Sequence, residues 1–505
     1  MFENILGVFS MKSRIGFDNE KYLQMQAQYI GERISAFGEK LYLELGGKLF
    51  DDFHASRVLP GFKPDSKVKM LLHLKDKLEI VIAIGAMDIV NNKIRGDYNI
   101  TYDMDVLRLI DAFRTIGLYV GSVVITQYTG QPQVDKFKKK LESQGVKVFM
   151  HYVIEGYPTD IEHIVSDEGF GKNEYVETER PLVVVTAPGP GSGKMATCLS
   201  QLYHENKRGI KAGYAKFETF PVWNLPLNHP VNLAYEAATA DLNDVNMIDP
   251  FHLSAYGETT VNYNRDIEVF PVLNAIFEKI MGESPYKSPT DMGVNMAGNC
   301  IFDDDAVCEA SRNEIVRRYY NALRNRTKGT STMEEVLKIE LIMKQAETGI
   351  EKRACVKPAL DKAELTGAPA ASIELPDGRV VTGKTSNLLG ASAATILNAL
   401  KALAGIDDDI YLISPEVIGP IQDLKTENLG NHNPRLHIDE TLIALAISAT
   451  TNETAQKAFS KLEELRGTEA HSSVILSQID EATFKKLGIN LTCEPVYQTK
   501  KLYHA

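Results

Sequence analysis

The sequence predicts an α/β protein: a doubly wound parallel-sheet domain with a P-loop-like turn, a helical insert and a C-terminal α/β unit. Three observations support this. Between residues 78 and 217, short apolar runs alternate with amphipathic segments of helical period. Such alternation is typical of parallel strands joined by crossover helices. A helical pattern then follows, and a second mixed pattern fills the last third of the chain.

Runs rich in valine and isoleucine predict the strands of the first domain, at 78–84, 119–126, 146–152, 182–186 and 211–217. Apolar residues at helical spacing predict helices around 106–113 and at 132–143 and 194–207. The first seventy residues mix helical patches with glycine-rich breaks such as 46–47. Residues 221–266 are polar and weakly periodic, so they form either a binding loop or an element that the pattern hides.

The rest of the chain predicts two further regions. Helices are expected between 303 and 349. Beyond them, predicted strands at 373–375, 409–413 and 473–476 mix with helices at 388–403, 439–449 and 453–465. The chain has 505 residues, enough for about three domains. We predict an N-terminal α/β domain at 1–290, a helical segment at 291–358 and a C-terminal α/β domain at 359–505.

The composition indicates which partners and which cellular compartment to expect. Lysine and arginine total 55 against 67 acidic residues, a net charge of −12, which argues against nucleic acid as a partner. The five cysteines are odd in number and widely spaced, unlike a disulfide framework or a Cys-x-x-Cys zinc motif. The longest apolar run, 442–449, is too short to span a membrane. We expect a cytoplasmic homo-oligomer with free thiols and no membrane partner.

Two segments compete as phosphate loops. Residues 378–385 (GRVVTGKT) match the pattern Gly-x-x-x-x-Gly-Lys-Ser/Thr. Their context is nevertheless that of a hairpin, because a Pro-Asp-Gly turn precedes β-branched residues that suit a returning strand. A phosphate loop instead needs a strand before it, small residues within it and a helix directly after it.

Residues 188–194 (PGPGSGK), hereafter the glycine-rich loop, fail the pattern twice but have that context. Pro188 stands where the first glycine belongs, and Met195 replaces the hydroxyl residue that ligates magnesium. Glycines let backbone amides approach an anion, and a helix start adds unpaired N–H groups and a positive dipole end. We predict that an anion binds the residues Gly189, Gly191, Ser192, Gly193 and Lys194; the alternative is a tight strand-to-helix turn.

The polar stretch after this unit supplies candidates for chemistry. Asp241 and Asp244 would share a helix face and are the predicted metal ligands. Asp249 and His252 are predicted to act as acid and base, and Arg265 to clamp a substrate carboxylate or phosphate. Capping of helices by the acids and a hydrogen-bonded histidine are the structural alternative.

Three runs resemble one bacterial family, known only as domain of unknown function 1846: TAPGPGSGKMAT at 186–197, KFETFPVWN at 216–224 and NHNPRLH at 431–437. The resemblance covers essentially the whole chain and implies a multidomain α/β protein with a helical insert. It brings no function and no catalytic residues. Some relatives carry the label ATP-dependent peptidase, but this chain has neither His-Glu-x-x-His nor Gly-x-Ser-x-Gly.

Two functional hypotheses remain open. In the first, the protein is an enzyme that binds a nucleotide such as ATP, or a phosphorylated small molecule, at the glycine-rich loop. ATP-dependent group transfer or ligation with Mg²⁺ is then the expected reaction, and the polar residues after the loop favour it. In the second, the protein is a non-enzymatic, phosphate-responsive or assembly protein, which the missing hydroxyl at position 195 favours.

Overall fold

The computed structural model describes residues 14–38, 40–96 and 98–498. The chain divides into two compact units. The N-terminal unit comprises Ile15–Glu236 and Asn243–Cys308. The described residues of the C-terminal unit are residue 14, 237–242 and 309–498.

The strands described in the N-terminal unit form one main sheet and two short ribbons. In chain order they are β1 (Leu41–Leu45), β2 (Leu78–Gly85), β3 (Ile94–Arg95), β4 (Ile100–Thr101), β5 (Val120–Tyr128), β6 (Lys147–Tyr152), β7 (Leu182–Thr186), β8 (Gly213–Phe217), β9 (Asn246–Ile248), β10 (Val261–Tyr263) and β11 (Gly293–Val294). Within the described residues, seven of them form a parallel sheet in the order β11-β8-β1-β7-β2-β5-β6. The predicted parallel-sheet architecture is thus confirmed.

Helices flank this sheet. They are α1 (Asn19–Ala36), α2 (Phe53–Val58), α3 (Ser66–His73), α4 (Ala86–Val90), α5 (Tyr102–Thr115), α6 (Pro132–Ser143), α7 (Ile161–Ile164), α8 (Lys194–Lys207), α9 (Pro230–Ala238), α10 (Pro250–Tyr256), α11 (Asn264–Met281) and α12 (Pro289–Met292). The central strands β1, β2 and β7 are buried along their whole length, which explains their continuous apolar character. One face of α8 buries Cys198, Leu199 and Leu202 in the same core as Val183 and Val185.

The C-terminal unit is a second, separate α/β structure. Its described helices are α13 (Asp304–Thr327, whose first residues to 308 are counted with the N-terminal unit), α14 (Met333–Gln345), α15 (Val356–Thr366), α16 (Ala391–Ala404), α17 (Pro415–Asp423), α18 (Ile438–Ser448), α19 (Glu453–Phe459) and α20 (Gln478–Leu487). Its strands are β12 (Ala370–Glu374), β13 (Val380–Lys384), β14 (Glu469–Ser472) and β15 (Asn490–Cys493), in the sheet order β13-β12-β14-β15. Among the residues that the structure describes, no helix is both long and apolar enough to cross a bilayer.

Two predicted strands of this unit are wrong. Residues 409–413 form turns and bends, although Leu412 and Ile413 are buried. The strand predicted at 473–476 lies earlier, at β14, and pairs with β12 and β15. Its polar sequence hides it, because Glu469 is ion-paired with Arg317 and Arg353. A buried strand need not be apolar when its polar groups have partners.

The ambiguous stretch at 221–266 is structured rather than one long loop. It contains α9, β9, α10 and β10 and ends at the start of α11. Its weak periodicity follows from the shortness of these elements. The N-terminal unit also contains a central strand, β1, that the sequence pattern did not reveal.

Candidate functional site

The glycine-rich loop joins β7 to α8 at a special position in the sheet. From β7 the chain crosses through α8 to β8, on one side, whereas from β2 it crosses through α5 to β5, on the other. β7 and β2 are neighbours, so the connections diverge between them. In open α/β sheets, ligands bind in the crevice that such a divergence creates outside the carboxyl ends of the strands.

Close packing explains two of the three glycines in the loop, and the third is open. Gly193 has a left-handed backbone (φ 82°), and a Cβ built there would lie 2.9 Å from the side chain of Thr126. A Cβ on Gly189 would lie 2.1 Å from the Tyr102 hydroxyl. Gly191 is also left-handed (φ 80°) but has open space around its Cβ position. Gly191 therefore exposes the loop backbone to an approaching ligand.

Side-chain hydroxyls hold the loop in one conformation. Thr126 Oγ1 donates to the carbonyl of Ser192 (2.9 Å), and Ser192 Oγ donates to the carbonyl of Gly189 (3.0 Å). Thr197 Oγ1 is buried and donates to the carbonyl of Gly193 (2.9 Å). The Thr197 hydroxyl, the first hydroxyl after Met195 in the helix, therefore already has a hydrogen-bond partner within the protein.

Two lysines lie at the loop: its own last residue, Lys194, and Lys93 from outside it. Lys194, the first residue of α8, places Nζ 3.9 Å from Oε1 of Glu44 at the end of β1. Lys93 donates from Nζ to the carbonyl of Pro190 (3.4 Å) and pairs with Asp88 at 3.0 Å. Asp88 lies in α4, directly after β2, so side chains from β1 and from the helices that follow β2 and β7 meet at this edge.

A buried group of charges, the carboxyl-edge cluster, lies beside the loop. Its members are Glu44, Lys216, Glu218, Tyr263 and Asp266. Glu44 stands opposite Lys216 in the register of β1 and β8. Lys216 Nζ is hydrogen-bonded to Asp266, lies 3.0 Å from Oε1 of Glu218 and donates to the Tyr263 hydroxyl at 2.8 Å. Glu44 thus links Lys194 to this group of charges.

The electrostatics of the cluster favour one charged lysine and one carboxyl that titrates near neutrality. Burial lowers the pKa of Lys216, but the carboxylate of Asp266 and its other neighbours outweigh burial and hold that pKa well above its usual value. Burial raises the pKa of Glu218 to about 7, against the opposing effect of the Lys216 ammonium. A buried carboxyl of this kind is typical of catalytic acids and bases.

The predicted acid–base pair has other partners. Asp249 is the N-cap of α10 and accepts from the N–H groups of Phe251 and His252, both at 3.0 Å. Its second oxygen accepts from the Thr290 hydroxyl (2.7 Å). His252 Nδ1 lies 2.9 Å from the Ser288 hydroxyl. These contacts account for both residues structurally, and their catalytic role stays a prediction.

The predicted metal ligands do not share a helix face, because Asp244 lies outside the short helix that contains Asp241. Asp241 is exposed in a short 3₁₀ helix, Ala240–Leu242. Asp244 is buried, and Arg265 holds its carboxylate with Nε at 2.6 Å and Nη2 at 2.8 Å. Arg265 therefore forms the two-pronged contact expected of it, but with a carboxylate of the protein itself.

The carboxyl-edge cluster was missed in the sequence for identifiable reasons. Glu44 ends a strand that the pattern did not reveal. Lys216 and Glu218 do stand at the end of a predicted strand, 211–217, so the rule that ligands bind at carboxyl ends could have found them. Asp266 stands beside Arg265 in the sequence and carried no signal of its own.

Comparison with known proteins gives a family but no activity. The domain described as "Domain of unknown function DUF1846, N-terminal" matches residues 15–347, and its C-terminal counterpart matches residues 351–503. The chain is 59% identical over 489 residues to a UPF0371 protein of Streptococcus pyogenes serotype M5, covering 97% of this chain and 99% of the relative. It is 59% identical over 487 residues to a UPF0371 protein of Streptococcus thermophilus, covering 96% and 99%. The chain therefore belongs to the DUF1846 family.

Proposed function

We propose that the N-terminal unit binds a phosphorylated small molecule or a nucleotide at the glycine-rich loop. The observation that carries this proposal is the position of the loop, at the divergence of the sheet connections and beside the carboxyl-edge cluster. The five cysteines form no disulfide, which agrees with the reducing cytoplasm, where we propose that the protein acts.

The loop offers the contacts that a phosphate group needs. Gly191 leaves the backbone accessible. Among the described residues no side chain caps the N-terminus of the 14-residue helix α8, so its first amides are available to a ligand, and its dipole attracts negative charge. The ion pair between Lys194 and Glu44, at 3.9 Å, is too long to be a hydrogen bond. Lys194 can therefore turn to a bound phosphate without giving up a strong contact.

The carboxyl-edge cluster supports a group-transfer reaction. An attacking hydroxyl or amine must lose its proton as it forms a bond to phosphorus, or to the carbonyl carbon of an acyl phosphate, while the bond from that same atom to the leaving oxygen breaks. Glu218 is suited to accept that proton because its pKa is about 7. The buried ammonium of Lys216 is suited to stabilise negative charge in the transition state.

Magnesium would have to bind differently here from its place in a P-loop. Met195 stands where a P-loop has its magnesium-ligating hydroxyl residue, and the Thr197 hydroxyl donates a hydrogen bond to the carbonyl of Gly193. Asp88 is a carboxylate at the same edge whose Oδ2 has no hydrogen-bond partner among the described residues, and it could hold such an ion. Met195 is also the observation that favours the second candidate function, non-enzymatic binding of a phosphorylated ligand.

A screen of phosphorylated metabolites and nucleotides by thermal shift tests the proposal. Hits should raise the unfolding midpoint of the full chain, because a ligand that binds only the native state stabilises it. The same hits should shift Lys194→Ala much less. A panel without hits, or with equal shifts in both proteins, would contradict the proposed site.

Turnover of each hit with Mg²⁺ separates the two candidate functions. The enzymatic function predicts product formation that Glu218→Gln reduces about 10²–10⁴-fold, the usual contribution of a general base. Binding without turnover supports the non-enzymatic function. Light scattering with and without the hit checks the expected homo-oligomer.

A further inference from the structure

Three potential metal ligands of different chemistry meet at the start of two helices of the N-terminal unit. His229 directly precedes α9, and Asp304 and Cys308 lie in the first turns of α13. Their ligand atoms all lie within 4.8 Å of one another. None of these residues belongs to the glycine-rich loop or to the carboxyl-edge cluster.

The distances fit a tetrahedral ion. His229 Nε2 lies 3.0 Å from Asp304 Oδ1 and 3.5 Å from Cys308 Sγ. Cys308 Sγ lies 3.7 Å from the other carboxylate oxygen of Asp304, Oδ2, and with one ligand atom taken from each residue all three atoms lie within 4.8 Å of one another. Zinc bonds of about 2.0–2.1 Å to nitrogen or oxygen and about 2.3 Å to sulfur would separate tetrahedral ligands by about 3.3–3.6 Å.

The local structure presents the ligands without rearrangement of the backbone. Asp304 and Cys308 are four residues apart, so their side chains lie on one face of α13. The Asp304 side chain is 64% exposed, whereas that of His229 is only 9% exposed. The cluster is therefore open to solvent on the carboxylate side and buried on the imidazole side.

The hydrogen bonds of His229 determine which ring nitrogen carries the proton and which proton must move when an ion binds. The N–H of Val231 donates to Nδ1 at 3.2 Å, so the neutral ring without an ion carries its proton on Nε2, toward Asp304. An ion at Nε2 moves that proton to Nδ1 and breaks the capping hydrogen bond. Uptake also releases the thiol proton of Cys308, so affinity must rise with pH. One capping hydrogen bond is a small loss beside three metal–ligand bonds.

We propose that His229, Asp304 and Cys308 bind a zinc ion, with water in the fourth position. A thiolate and an imidazole favour zinc over magnesium or calcium, which prefer oxygen ligands. Three protein ligands and one open position are the arrangement of zinc sites that bind a further group. The site could not be predicted from a sequence motif, because its ligands are 75 and 4 residues apart and form no Cys-x-x-Cys motif.

Metal binding to the full chain tests this proposal. The protein, prepared without a histidine tag, is stripped with a chelator and titrated with zinc alone; bound metal is then measured by mass spectrometry. We expect about one zinc per chain and affinity at least about 100-fold weaker in Cys308→Ser, since even loss of an outer-shell partner costs about 10–100-fold. Asp304→Asn, at an exposed position, should weaken binding without threatening the fold.

Cobalt adds a spectroscopic readout. Co²⁺ in the site should give a sulfur-to-metal charge-transfer band that is absent in Cys308→Ser and unchanged in the matched control Cys300→Ala. Failure of the wild type to bind zinc stoichiometrically would overturn the proposal, as would equal zinc affinity in wild type and Cys308→Ser. Equal loss of affinity in Cys300→Ala would also overturn it.

Discussion

The glycine-rich loop and the segment 378–385 both combine glycines with a lysine, yet the first leads into a helix and the second into a strand. In the second, Gly378 turns the chain with φ 82°, and β13 returns antiparallel to β12. The predicted hairpin is confirmed. Gly383 is small for another reason, since a Cβ there would lie 2.3 Å from the backbone nitrogen of Thr395 in α16. Glycine and lysine at the right spacing thus do not define a phosphate site.

The surroundings of the two lysines differ in the same way. Lys384 is exposed at the end of β13. Lys194 is the first residue of a helix, with Glu44 beside it and the carboxyl-edge cluster beyond. A lysine on a strand offers one charge, whereas a lysine at a helix start adds the amides and the dipole of the helix.

Gly193 and Gly378, which both have a left-handed backbone, should respond differently to substitution by alanine. At Gly378 no described residue lies within 4 Å of the added Cβ, so Gly378→Ala should cost only the left-handed backbone, about 1–2 kcal/mol. At Gly193 the Cβ also meets Thr126, which adds about 1–3 kcal/mol of overpacking. Gly193→Ala should therefore cost about 2–5 kcal/mol in urea unfolding. Equal losses would show that the Thr126 side chain moves aside for the added methyl group at no cost.

Glu218 should make the stability of the N-terminal unit depend on pH. Its pKa in the folded protein, about 7, exceeds its ordinary value of 4.5, so its favourable contribution is complete below about 4.5 and is lost as pH rises to about 7. Glu218→Gln should remove this dependence, on the order of 1–3 kcal/mol. Hydrogen exchange in peptides of the N-terminal unit would measure it. An unchanged pH profile in the variant would mean that Glu218 is ionised throughout.

The C-terminal unit should titrate in a different window. The Asp480 carboxylate, 3.0 Å from His437 Nδ1, raises the pKa of His437 above 6.5. The stabilisation that protonated His437 gives to the folded unit is therefore present below pH 6.5 and is lost as pH rises through the raised pKa. His437→Gln should remove this loss, up to about 1 kcal/mol. Exchange in peptides of the C-terminal unit is the readout, and a dependence that survives in the variant would point to another group.

Much of the fold could be predicted because strand and helix periods are strong where the sheet is buried. β2, β5, β6, β7 and β8 all overlap predicted strands. β1 and β14 were missed, because their sequences carry acids whose partners lie far away in the chain, such as Tyr214 for Glu44. The glycine-rich loop was found from its neighbours in the sequence, whereas the carboxyl-edge cluster depends on strand order, which the sequence does not reveal.

The most direct test of the central claim is a paired calorimetric titration of the best phosphorylated hit. Lys194→Ala should weaken binding about 10- to 150-fold, because a charge-assisted hydrogen bond contributes about 1.5–3 kcal/mol. Lys384→Ala, the same change in the segment that matches the pattern, should bind like wild type. Unfolding of each free variant shows whether the fold is intact. Equal affinity in all three proteins, or loss only in Lys384→Ala, would contradict the account.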